Sequence, residues 1–133
     1  MNKLHHVGIV VDKIEKAAHL YEKLLGCQRA SKIIKDKTQK VKILFLSTGG
    51  NVALELLEPL STHSPVTRFL KEGGKFHHLC YEVNDIEAAL QKTRKQGALV
   101  IHKPVAAAAF KGRKIAWIFT PDNSLIELLE SKK

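Results

Sequence analysis

The hydrophobic pattern of this chain is written twice. "LHHVGIVV" at 4–11 and "FHHLCYEV" at 76–83 are short apolar runs rich in β-branched and aromatic residues, and each predicts a strand. After the first run, Ile14, Ala17, Ala18, Tyr21 and Leu25 recur at helical spacing, and Gly26 closes the segment. After the second, Ile86, Ala89 and Leu90 begin an apolar helical face that Gly97 ends. Asp12 is the expected cap of the first helix, and Asn84 or Asp85 of the second. Further strands are expected near 27–34, 40–47 and 51–58, then near 98–102, 113–120 and 124–131.

Sliding the chain on itself by 72 residues brings these blocks into register. "KVKILFLSTGGN" (40–51) lies over "GRKIAWIFTPDN" (112–123), and "VALELLE" (52–58) over "SLIELLE" (124–130). "DKIEKAAHLYEKLLG" (12–26) matches "NDIEAALQKTRKQG" (84–97) with one residue dropped inside the helix. The turns "TGGN" and "TPDN" occupy equivalent places and carry hairpin chemistry. Between the copies, "STHSPVTRFLKEGG" (61–74) reads as a turn, a short helix from Pro65 and a glycine exit. The expected architecture is an α+β fold of tandem βαβββ modules forming an incomplete barrel around a cavity. One domain covers 1–133, with module 1 at about 1–60, a connector at about 61–74 and module 2 at about 75–133.

Alternation along a strand sorts the histidines. His5, Val7, Ile9 and Val11 share the more apolar face of the first strand, and His77, Leu79, Tyr81 and Val83 that of its copy. These faces belong under the helices, with His5 and His77 there or at the edge. His6 and His78 then face the cavity. In the last strand of each copy, Glu55 sits opposite Leu54 and Leu56, and Glu127 opposite Ile126 and Leu128. A carboxylate between leucines is costly to bury without a partner, and a cation supplies one. Each repeat thus contributes one imidazole and one carboxylate. His6, Glu55, His78 and Glu127 make an N2O2 donor set suited to a divalent ion, Co, Ni, Mn, Fe or Zn, with positions left for water or substrate. The plainer alternative is two strand-end His pairs and two solvated Glu side chains.

Charge and composition narrow the partners. The 133-residue chain is 44% hydrophobic and 26% charged, with a net charge of +9. Lys32, Lys35, Lys37, Lys40 and Lys42 crowd one hairpin, so an anionic small-molecule substrate is expected. Those lysines have no interleaved aromatics to stack on bases, and nucleic acid is not an expected partner. No apolar run reaches membrane-span length and no leader pattern opens the chain, so a cytoplasmic protein with no membrane partner is expected. Cys27 and Cys80, far apart in the sequence, read as core residues.

The blocks "HHVGIVV", "ELLEPL", "SPVTRFL", "FHHLCYEVNDIEAAL" and "IELLE" resemble the vicinal oxygen chelate superfamily of glyoxalases, extradiol dioxygenases, resistance proteins and methylmalonyl-CoA epimerases. Within it the chain is most similar to methylmalonyl-CoA epimerases and small glyoxalase-like members. The resemblance implies a metal on His6, Glu55, His78 and Glu127, and an isomerase acting through a stabilised enolate on a CoA thioester such as methylmalonyl-CoA. Glu127 is then the expected catalytic residue, with Glu82 a weaker second candidate, and a homodimer the expected assembly. A lactoylglutathione lyase-like enzyme, or a small-molecule-binding resistance protein, are the alternatives. Two departures stand out: "FTPDNS" (119–124) replaces a glycine-rich turn, and Ile43 occupies the place of a third-strand carboxylate found in some members.

Overall fold

The computed structural model describes residues 1–132 and contains ten strands, three α-helices and a 3-10 turn among them. In chain order these are β1 (Lys3–Val10), α1 (Ile14–Leu25), β2 (Gln28–Arg29), β3 (Ile34–Asp36), β4 (Val41–Ser47), β5 (Ala53–Pro59), α2 (Pro65–Lys71), β6 (Phe76–Val83), α3 (Ile86–Lys95), β7 (Leu99–Val100), β8 (Val105–Ala106), β9 (Lys114–Phe119) and β10 (Leu125–Glu130). The fold is α+β, and each half carries the expected strand–helix–strand order, with two short strands (β2 and β3, or β7 and β8) in place of the first of the three strands expected after the helix. The chain divides into two compact units, His6–His77 and Met1–His5 with His78–Lys133.

Within the His6–His77 unit the strands run in the order β2-β4-β5-β1, with β3 also on β4. β1 and β5 are parallel, with Gly8 opposite Glu55, while β5 and β4 are antiparallel, with Glu55 opposite Phe45. The second unit repeats this as β6-β10-β9-β7, with β8 on β9. Here Cys80 lies opposite Glu127 on parallel strands, and Trp117 opposite Glu127 on antiparallel ones.

Each sheet buries one face under its own helix. Ile14 and Ala18 of α1 pack on Leu44, Leu46 and Leu56, with Ile9, Val11 and Leu54 around them. Ile86 and Leu90 of α3 pack on Val83, Ala116, Ile118 and Leu128, joined by Tyr81, Val100 and Ile126. These are the strand faces that alternation assigns to the helices. Burial of this kind is worth about 25 cal/mol per Å² of apolar surface. Everything with chemistry is displaced to the other face.

Two local expectations are corrected. The strand near 27–34 is broken in two. Ala30 N–H donates to the Phe45 carbonyl at 2.8 Å, but Phe45 N–H then donates to the Ser31 hydroxyl at 3.0 Å. The serine side chain replaces a ladder carbonyl, and main-chain pairing resumes only at Ile34, opposite Ile43. The first helix is also not capped by Asp12. Its N-cap is Lys13, which makes no side-chain cap, and the Ile14 N–H donates to Glu58 Oε1 at 2.8 Å. The same device recurs in the second unit: Ile86 N–H donates to Glu130 Oε2 at 3.0 Å, while Asp85 accepts from Ala88 N–H at 3.0 Å. The final glutamate of each "ELLE" therefore faces a helix N-terminus, where the helix dipole favours negative charge.

Glu58→Ala is expected to lower stability by about 1–2 kcal/mol, as loss of a partly buried cap does. Asp12→Ala should change it by less than about 0.5 kcal/mol. Urea unfolding of both variants measures this, and equal losses would contradict the capping assignment.

Candidate metal centre and its two half-sites

The face of each sheet opposite its helix carries a buried imidazole and a buried carboxylate. In the first unit His6 is 0% and Glu55 4% exposed. Alternation sets them there because Leu54 and Leu56 point to α1, leaving Glu55 on the side of His6. His6 Nε2 lies 3.4 Å from Glu55 Oε1. In the second unit His78 is 0% and Glu127 2% exposed, with His78 Nε2 3.5 Å from Glu127 Oε1. All four expected residues are buried, and each His is brought against the Glu of its own repeat. Both separations exceed the roughly 2.7–3.2 Å of an N–H···O hydrogen bond.

An aromatic ring backs each imidazole. His6 meets Phe45 edge-to-face, with centroids 5.4 Å apart and planes at 71°. His78 meets Trp117 likewise, at 4.6 Å and 81°. Phe45 and Trp117 are themselves 72 residues apart and stand opposite Glu55 and Glu127 in their ladders. Sequence reasoning passed over them, although the same internal alignment that paired the histidines also pairs these rings. T-shaped contacts fix a ring's plane and keep water from its edge.

The neighbouring histidines have another use. His5 packs edge-on against Phe110 at 5.5 Å, and His77 against Phe69 of α2 at 5.2 Å. Ile43 is buried on the Glu55 face, so no carboxylate occupies that place. Glu82 lies on the His78 face and accepts from Arg113 Nη2 at 2.7 Å, while Arg113 Nε donates to the Glu130 carbonyl at 2.8 Å. That carboxylate is committed to a guanidinium. Of the crowded lysines, Lys32, Lys35, Lys37 and Lys40 are exposed, whereas Lys42 approaches Glu58 at 3.6 Å. Cys27 and Cys80 are both buried, and neither is in a disulfide.

Buried imidazole–carboxylate pairs tie stability to both partners. His6→Leu leaves Glu55 sealed in without its imidazole and is expected to destabilise the metal-free protein by about 3–5 kcal/mol. Adding Glu55→Leu should restore part of that loss, since two apolar residues leave no buried charge. Urea midpoints of the single and double variants decide it; additive losses would contradict the pairing.

Comparison with known proteins gives the family. Residues 5–117 match the family model described as the Glyoxalase/Bleomycin resistance protein/Dioxygenase superfamily. The mouse mitochondrial methylmalonyl-CoA epimerase is 37% identical over 72% of this chain, which spans 54% of that protein's length. The ethylmalonyl-CoA/methylmalonyl-CoA epimerase of Cereibacter sphaeroides is 33% identical, with 96% of this chain and 97% of that protein covered. The Streptomyces coelicolor methylmalonyl-CoA epimerase in complex with 2-nitronate-propionyl-CoA superposes with a TM-score of 0.85 at 25% identity, covering 100% of this chain and 99% of that one. With a duplicated βαβββ plan and one buried His–Glu pair per repeat, the chain belongs to the Glyoxalase/Bleomycin resistance protein/Dioxygenase superfamily.

Proposed function

We propose that this chain is an epimerase of methylmalonyl-CoA, using a divalent metal ion held jointly by His6, Glu55, His78 and Glu127. The observation that carries the reading is the burial of one imidazole and one carboxylate in each repeat, on strand faces that the helices leave alone. The donor set fits such an ion: two neutral nitrogens and two anionic oxygens suit Co, Ni, Mn, Fe or Zn, and balance two positive charges. The named activity of relatives that match nearly the whole chain supports the substrate.

A thioester's α-proton is weakly acidic, and the ion when bound supplies Lewis-acid stabilisation of the enolate oxygens. The chain's own residues do the rest. Phe45 and Trp117 hold the two imidazoles in plane and shield them from water. Glu127 takes the C2 proton from the substrate, its carboxylate becoming the acid, and the carbon's electron pair passes into the enolate. Return of the proton by Glu127 to the same face restores C2, and delivery of a solvent-derived proton to the opposite face inverts it. The basic surface draws in a substrate bearing phosphates and a carboxylate. We further propose a homodimer, for which Leu20, Leu24 and Leu25 on α1 offer an exposed apolar row. Neither cysteine is in a disulfide, which supports a reducing, cytoplasmic location.

Metal-loaded protein incubated with methylmalonyl-CoA in heavy water is expected to wash deuterium into C2 and racemise it. Glu127→Ala should abolish the exchange. Turnover of a hemithioacetal without exchange at C2 would contradict the assignment. Trp117, the only tryptophan, also reports directly: its fluorescence should change on titration with Co or Ni, and His78→Ala should remove that response.

A further inference from the structure

The duplicated fold contains its own control experiment. Beyond the His–Glu pair, the same strand face continues to the sheet edge, and there the two units differ. In the second unit it carries Leu99, Phe119, Leu125 and Ile101. Leu99 stands opposite Phe119, Phe119 opposite Leu125, and Ile101 N–H donates to the Trp117 carbonyl at 3.0 Å. Their alternate neighbours Val100, Ile118 and Ile126 pack beneath α3, so these four point to the face of Glu127. Leu99 is 65%, Ile101 44% and Phe119 38% exposed.

The equivalent positions of the first unit hold Gln28, Ser47, Ala53 and Ala30. Gln28 stands opposite Ser47, and Ala30 N–H donates to the Phe45 carbonyl at 2.8 Å, so the correspondence is structural as well as sequential. The fold therefore asks for no large apolar side chain at these places. One repeat nevertheless places four of them in a ledge bordering Trp117 and Glu127, three exposed and Leu125 half-buried. Exposed apolar surface of this kind marks something to be covered.

We infer that the ledge formed by Leu99, Ile101, Phe119 and Leu125 receives the C2 alkyl branch of the acyl group, and that it fits branches longer than methyl. This rests on the proposed epimerase reading. In a 2-alkylmalonyl thioester the oxygens belong with the metal donors and the C2 proton with Glu127, so the alkyl branch is the one apolar substituent at the reacting carbon. A surface of three exposed large side chains is far more than a methyl group can cover. The Cereibacter relative, named for ethylmalonyl-CoA as well as methylmalonyl-CoA, shows that the fold accommodates the longer branch in at least one case.

The test compares kcat/KM for C2 exchange on methylmalonyl-, ethylmalonyl- and propylmalonyl-CoA. The unmodified protein is expected to accept all three. Phe119→Ser, which installs the residue of the first unit, should lower the ethyl-to-methyl ratio by about tenfold, the scale of one methylene in an apolar pocket. Leu99→Gln, at a side chain exposed enough to leave folding intact, should lower it several-fold. Ratios within twofold of the unmodified protein in both variants would overturn the inference. So would a protein active on methylmalonyl-CoA that rejects the ethyl compound, or variants that lose only self-association by sedimentation, making the ledge a contact between copies. An unmodified metal-loaded protein inactive on all three thioesters would instead bring down the epimerase reading itself.

Discussion

A carboxylate sealed in a β-sheet face is the constraint on which this molecule turns. Glu55 and Glu127 are each buried among apolar strands, a placement that costs several kcal/mol per ion unless charge and hydrogen-bonding capacity are met. Each is set beside an imidazole from the first strand of its own repeat. The helices cannot serve them, because α1 and α3 occupy the opposite faces with aliphatic side chains. Strand alternation thus performs the separation: stability on one side of the pleat, chemistry on the other. Glu58 and Glu130, three residues beyond, show the same economy, since they complete the helix N-termini from the strand ends.

Most of this was legible because the chain repeats itself. A single His in a strand says little, but His6 with His78 and Glu55 with Glu127 share one spacing and one strand face. The two faces followed from side-chain period alone, and the helix-facing sets Ile9/Val11 and Tyr81/Val83 pack as that period requires. Local detail was less legible. Asp12 resembles an N-cap, but a carboxylate 44 residues downstream makes the contact, and no window-based reading sees such a partner. The break after Arg29 depends on Ser31 taking a ladder position with its side chain, which composition does not distinguish from a continuing strand. Phe45 and Trp117 were hidden differently: nothing in a strand's pattern marks an aromatic as the backing of an imidazole until its place opposite a glutamate is known.

The differences between the repeats carry as much as the likeness. Where the first unit has Val10 and Val41, both buried, the second has Glu82 and Arg113 in an ion pair. Where the first has small or polar residues at the sheet edge, the second has a row of large apolar ones. A duplicated scaffold keeps what folding and the donor set demand in both copies and is free to diverge elsewhere. The divergence lies on the same face as the buried pairs.

The central claim is that two half-sites serve one ion. Elemental analysis of purified protein, alone and as His6→Ala or Glu127→Ala, tests it most directly. The account predicts one divalent ion per chain, lost almost completely by either variant although the substitutions lie in different repeats. Two ions per chain, or half the metal retained by each variant, would contradict it.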